Sequence, residues 1–167
     1  MDGIEAEKSR YLDRALTWLG FNGRVLEEAA DPANAILERL RFLGIFASNL
    51  DEFFMIRVAG VRELVLGNVE HRTAAGLTPA ELTQRIATRS RDVVAQAYAL
   101  WDRELIPALR EGGVHVLGTG ELEPKERAFL DRLFAREILP ILTPAAIDPA
   151  LPFPRLVNLA LHLAVRL

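Results

Sequence analysis

The run Arg41-Phe42-Leu43-Gly44-Ile45-Phe46-Ala47-Ser48-Asn49-Leu50-Asp51-Glu52-Phe53-Phe54 sets large apolar side chains three and four residues apart. That period marks an α-helix with a buried face, and it continues on both sides over residues 35–66. One stripe holds Ile36, Leu40, Leu43, Leu50, Phe54, Val61 and Val65. A second, offset by about a third of a turn at roughly 100° per residue, holds Phe42, Phe46, Phe53 and Ile56. Two apolar stripes require burial on two sides, so this element reads as the central helix of a bundle. Arg41, Ser48, Glu52 and Arg62 form its wet edge.

Upstream, Leu16, Leu19, Val25 and Leu26 recur near helical spacing over residues 13–30, and Asp31-Pro32 close that helix. Gly20 and Gly23 weaken it by about 1 kcal/mol each relative to Ala, so it must depend on what Trp18 and Phe21 pack against. Downstream, a polar link over residues 67–76 leads to Thr78-Pro79-Ala80-Glu81. Thr78 suits the N-cap, Pro79 the first helical position, and Glu81 completes a capping box. The inward face of this third helix continues through Leu82, Ile86, Val93, Ala97, Leu100 and Leu105 until Gly112-Gly113 stop it. The expected fold is mainly α, an antiparallel three-helix bundle over residues 1–112.

A second domain is expected over residues 113–167, the start of an α/β (α+β) unit. Val114-His115-Val116-Leu117 alternate briefly like a strand, and Pro124 opens a helix carrying Leu130, Leu133, Phe134 and Ile138. Pro140, Pro144, Pro149, Pro152 and Pro154 then impose an extended path. Over residues 156–167, Leu159, Leu161, Leu163 and Val165 alternate with Ala160, His162, Ala164 and Arg166, again as in a strand. Such a strand needs a partner for its backbone groups, so this domain reads as unfinished.

The 167 residues are 50% apolar and 26% charged, with a formal net charge of -3, the profile of an ordinary globular chain. The absence of cysteine excludes a disulfide scaffold, a thiolate metal site and a cysteine nucleophile. The only lysines, Lys8 and Lys125, follow Glu7 and Pro124 rather than a glycine, which excludes a P-loop. No apolar run approaches the roughly 18 residues of a membrane span, and the acidic start Met1-Asp2-Gly3-Ile4-Glu5 does not suit a signal peptide. The slightly negative balance gives no basis for nucleic-acid binding.

Asn49 is the side chain that most needs an explanation. It falls on the second apolar stripe near Glu52, where an uncompensated amide costs about 1 to 3 kcal/mol. Two arrangements satisfy it: a hydrogen bond to a neighbouring helix or to the Trp18 indole, or a carboxamide aimed at a ligand. Asp51 and Glu52 diverge by about 100° on a helix and cannot face one metal ion together. His71, His115 and His162 share no metal-ligand spacing, and no nucleophile elbow accompanies them. No catalytic residue and no metal ligand is expected in this chain.

Two stretches, residues 16–29 (Leu16-Thr17-Trp18-Leu19-Gly20-Phe21-Asn22-Gly23-Arg24-Val25-Leu26-Glu27-Glu28-Ala29) and residues 41–54, closely resemble the N-terminal domain of bacterial polyphosphate kinase, the large multidomain phosphohistidine type. The resemblance continues at Ile56-Arg57-Val58-Ala59-Gly60. It returns at Ile141-Leu142-Thr143-Pro144 and Asp148-Pro149-Ala150-Leu151-Pro152-Phe153-Pro154, similar to the start of that family's head domain. Ala15, Thr17 and Leu151 depart from the family pattern, which usually has an acidic residue, a serine and a histidine there.

The resemblance implies an enzyme that reversibly transfers the terminal phosphate of ATP to inorganic polyphosphate through a phosphohistidine, with Mg2+. It implies nucleotide binding by Asn49, and places the phosphorylated histidine, the phosphate-binding groups and the metal ligands outside this chain, which alone is expected to be inactive. ATP, ADP and polyphosphate are the expected partners, with homo-oligomerisation of the complete enzyme and a cytoplasmic or peripheral membrane location. The contrasting expectation is a stand-alone helical interaction module that binds no nucleotide.

Overall fold

The computed structural model describes residues 11–148, 150 and 152–166. Lys8, Pro149, Leu151 and Leu167 lie outside the described residues. The chain divides into one compact unit through Val116 and a second over Leu117–Leu167.

The first unit is built from three helical arms. Helix α1 (Arg14–Ala30) starts at Asp13, whose carboxylate accepts from the backbone N–H groups of Ala15 at 2.8 Å and Leu16 at 3.2 Å. This satisfies two of the donors that a helix start leaves free. The middle arm is α2 (Ile36–Phe53), a π-helical turn (Phe54–Val58) and α3 (Ala59–Leu66). The third arm is α4 (Pro79–Leu100), a second π-helical turn (Trp101–Leu105) and α5 (Ile106–Glu111).

Two apolar clusters fix the direction of these arms. One joins Ala15 and Leu19 near the start of α1 to Phe53 at the end of α2 and to Leu77, Leu82 and Ile86 at the start of α4. The other joins Leu26 and Ala29 at the end of α1 to Phe46 and to Val93, Ala97, Leu100 and Leu105. The outer arms therefore run in the same direction and the middle one runs against both, as the antiparallel bundle requires. All six inward residues expected on the third arm are buried.

The π-helical turns explain the spacing of these side chains. Each such turn holds an extra residue and rotates everything after it relative to a regular helix. In the third arm, Leu105 follows Leu100 by five positions, and the wide turn brings both onto the buried stripe. In the middle arm, Val58 and Val61 pack beside Phe53 instead of Ile56, which is 63% exposed. Regular periodicity assigns Ile56 to the buried stripe, and the wide turn removes it. Phe21 also departs from expectation: it is exposed, with the Arg24 guanidinium 5.7 Å from its ring centroid, while Trp18 alone packs inward.

Both longer arms end in Schellman motifs. At α5, Gly113 takes φ +83°, its N–H donates to the Arg110 carbonyl, and the Val114 N–H donates to the Leu109 carbonyl. At α3, Asn68 takes φ 48°, with matching bonds from Asn68 to Val65 and from Val69 to Leu64.

Arg39 locks one end of the bundle. Its side chain is buried, and Nε donates to the Ala29 carbonyl at 2.8 Å. Nη2 reaches the Ala30 carbonyl at 3.3 Å and Glu104 Oε2 at 2.7 Å. One guanidinium thus satisfies the last carbonyls of α1, where the helix dipole favours a cation, and ties α2 to the third arm.

The second unit contains α6 (Pro124–Leu133), a π-helical turn (Phe134–Ile138) and a short 3-10 turn (Leu139–Ile141). Glu123 and Glu126 form a capping box at its start. Among the described residues, no β-strand forms, so the strands expected over residues 114–117 and 156–167 are not seen. Neither segment has a pairing partner there, and a turn at Asn158 and Leu159, with Leu159 at φ 58° and the Ala160 N–H donating to Val157, interrupts the second. Also among the described residues, no helix is long and apolar enough to cross a membrane.

Arg39→Ala is expected to lower unfolding stability by about 2 kcal/mol, the scale of charge-assisted hydrogen bonds. Arg39→Lys should restore less than half, because an ammonium cannot span the three acceptors. Denaturant midpoints check both. At the start of α4, Thr78 Oγ1 accepts from the Glu81 N–H at 3.2 Å, and both the Thr78 N–H and its hydroxyl donate to Glu81 Oε2 at 2.8 Å. Those bonds, the backbone one first, hold the Glu81 carboxyl below its ordinary value, helped by Arg72 and Arg85. A carboxyl depressed on folding contributes stability above its unfolded pKa and loses it as pH falls through the folded one. Stability should therefore fall on acidification below the ordinary carboxyl value of 4.5, and Glu81→Gln should flatten that part of the curve in melts from pH 6 down to about 3.

Candidate functional site

Between the two apolar clusters lies a polar level to which each long arm contributes one side chain. Asn22 on α1 is 0% exposed. Ser90 on α4 falls between Ile86 of one cluster and Val93 of the other, and its buried hydroxyl has no partner among the described residues. Asn49 on α2 is half-buried beside Leu50, the residue that packs against both clusters.

The donors and acceptors at this level fix one another. Asn22 Nδ2 donates to the Phe46 carbonyl at 3.0 Å. A carbonyl can only accept, so the nitrogen of Asn22 must face it and its oxygen must face the other way. Asn49 Nδ2 donates to that oxygen at 3.1 Å. Asn49 therefore directs its own Oδ1 away from Asn22, and among the described residues that oxygen has no hydrogen-bond donor.

One turn further along the same pair of helices, Trp18 stacks on Phe53, with ring centroids 4.5 Å apart and planes 6° from parallel. Phe54 meets Phe53 edge-on at 5.8 Å. The amide contact and the aromatic stack are successive crossings between α1 and α2, so the helix carrying Asn49 is held on both sides of the amide.

The expectation that a neighbouring helix pairs with Asn49 holds for its Nδ2 alone, through Asn22 rather than the Trp18 indole. Asn22 itself was not singled out. Its signal is the spacing Leu19, Asn22, Leu26, which places an amide in the middle of a buried stripe. Ser90 occupies the equivalent place between Ile86 and Val93.

The other polar candidates stay apart from this level. Asp51 and Glu52 are exposed. His71 and His115 belong to the first unit and His162 to the second, where its Nε2 lies 3.0 Å from the Val157 carbonyl. Among the described residues, no group of three or more His, Cys, Asp or Glu side chains could hold a metal ion. The level between the clusters therefore offers neutral, oriented hydrogen bonding and no charge.

Comparison with known proteins gives this geometry its context. The family model of the polyphosphate kinase N-terminal domain matches residues 11–117, and that of the polyphosphate kinase middle domain matches residues 125–167. The polyphosphate kinase of Streptomyces coelicolor is 49% identical over 163 residues, covering 98% of this chain and 22% of that protein. The polyphosphate kinase of Halalkalibacterium halodurans is 46% identical over 160 residues, covering 95% and 23%. The crystal structure of polyphosphate kinase from Porphyromonas gingivalis superposes with a TM-score of 0.62 at 30% identity, covering 78% of this chain and 18% of that one. The chain spans between a fifth and a quarter of the length of these curated relatives. With its bundle matched to the N-terminal domain and its remainder to the middle domain, the chain belongs to the polyphosphate kinase family.

Proposed function

We propose that this chain forms the N-terminal part of a phosphotransferase that moves the terminal phosphate of ATP reversibly onto inorganic polyphosphate through a phosphohistidine. Within it, residues 1–112 form the helical domain and residues 113–167 begin the middle domain. The helical domain contributes to the nucleotide site through Asn49. The observation that carries this reading is the Oδ1 of Asn49, without a donor among the described residues and fixed in direction by the bond from its Nδ2 to Asn22. A neutral amide held this way orients a nucleotide without adding charge.

Phosphoryl transfer needs charge stabilisation around the reacting phosphate. The level around Asn49 supplies none, and the family resemblance implies that the phosphohistidine and the groups that hold phosphate belong to residues outside this chain. The same resemblance implies Mg2+ with its ligands in those other parts of the enzyme. By the same resemblance the complete enzyme is a homo-oligomer, in the cytoplasm or peripherally on a membrane.

A stand-alone interaction module is the other reading, favoured by the exposed apolar side chains Ile45, Phe54, Met55 and Ile56 on the middle arm. The two readings separate on one residue. In the full-length kinase carrying this segment, Asn49→Ala is expected to raise the KM for ATP about tenfold, equivalent to about 1.4 kcal/mol of lost binding. It should also cost roughly 1–3 kcal/mol of stability by leaving Asn22 Oδ1 unpaired, so kinetics must be read well below the variant's melting temperature. Lost stability with unchanged ATP kinetics would reject the nucleotide role of Asn49 and leave it a structural amide.

A further inference from the structure

We propose that Asn22 is a positioning residue for nucleotide binding, acting only through Asn49. The inference rests on the proposed role of Asn49 and adds the group that sets which way its amide points. On a free asparagine side chain, rotation about the last bond exchanges oxygen for nitrogen, so the same position can present an acceptor or a donor. Here that choice is removed by a relay that begins at the main chain.

The Phe46 carbonyl accepts from Asn22 Nδ2 at 3.0 Å, and Asn22 Oδ1 accepts from Asn49 Nδ2 at 3.1 Å. Reversing Asn49 would set two carbonyl oxygens against each other. Reversing Asn22 as well would set its oxygen against the Phe46 carbonyl. The backbone of α2 thus dictates, through a side chain on α1, that Asn49 offers its acceptor oxygen to a ligand.

The burial of Asn22 keeps the relay in place. At 0% exposure its amide has no bulk water as an alternative partner, so both bonds are retained while Asn49 waits at the half-buried border. The Trp18–Phe53 stack limits relative movement of the two helices one turn away. The ligand group this arrangement selects is a hydrogen-bond donor on the nucleotide, and the benefit is pre-organisation: Asn49 does not have to be reoriented when the ligand arrives.

The test is a double-mutant cycle in the full-length kinase, joined to an observation on the unsubstituted 167-residue chain. Asn22→Leu keeps the branched shape and the number of side-chain heavy atoms and removes the relay. It is expected to raise the KM for ATP about three- to tenfold with kcat at saturating ATP nearly unchanged. Asn49→Leu should raise KM at least as much, and Asn22→Leu/Asn49→Leu should be no worse than Asn49→Leu alone, because Asn22 has nothing left to position. In the unsubstituted chain, the side-chain amide protons of Asn22 and Asn49 should exchange with solvent more slowly than those of exposed asparagines in NMR spectra.

A wild-type KM in Asn22→Leu, or independent, additive effects in the double variant, overturns the positioning role while leaving Asn49 in the site. An Asn49→Leu enzyme with wild-type KM removes the nucleotide reading and this inference together. Should Asn22→Leu fail to fold, the exchange measurement decides, and amide protons exchanging at free rates reject the relay.

Discussion

The buried amide of Asn22 is the constraint around which the bundle is arranged. An apolar residue in the middle of α1 could slide against several neighbours at similar cost. An amide at 0% exposure can reside only where both its donor and its acceptor are met. The Phe46 carbonyl and the Asn49 amide supply that place, and they lie on successive turns of one face of α2. The register of α1 against α2 follows, and with it the Trp18–Phe53 stack one turn away and the reach of Arg39 to the end of α1. The apolar clusters above and below supply most of the stabilisation, because burial scales with area and is indifferent to direction. The amides supply the direction.

The π-helical turns solve a related problem. A straight helix drifts out of phase with any stripe it must bury over many turns. Both longer arms absorb the drift with one wide turn, after Phe53 in the middle arm and after Leu100 in the third. In the third arm the turn returns Leu105 to the core. In the middle arm the turn coincides with three exposed apolar residues, Phe54, Met55 and Ile56. Wide turns of this kind recur at functional positions because they redirect side chains without ending the helix.

Much of this was legible in the sequence, for identifiable reasons. The capping chemistry of Thr78 and Glu81 depends on residues three apart, so it can be read without knowing the fold. The inward face of the third helix was equally plain, including the five-residue step to Leu105. Ile56 was misplaced because regular periodicity assumes a constant turn and carries no term for an extra residue. Phe21 was misplaced because size alone does not tell which side of a helix an aromatic faces. Asn22 is legible only as an amide within the buried stripe Leu19, Asn22, Leu26, and nothing local says what pairs with it. Its importance arises only when Phe46 and Asn49, distant in sequence, come beside it. The strands expected beyond Gly113 were read from alternation, and alternation becomes a sheet only where a partner strand is present.

The missing P-loop lysine takes on a different sense in this setting. A phosphate needs charge close to the atoms that react, whereas the rest of a nucleotide needs orientation, and these are separable tasks. Orientation is best supplied by a neutral group whose direction cannot drift, since a long charged side chain would lose more rotamer freedom on being fixed. An asparagine pinned by a second asparagine, itself pinned by a helix carbonyl, meets that need at the cost of burying one amide. In the proposed function, the helical bundle is a rigid mount whose chemical output is the direction of a single carbonyl oxygen, with the reactive charges supplied from elsewhere in the enzyme.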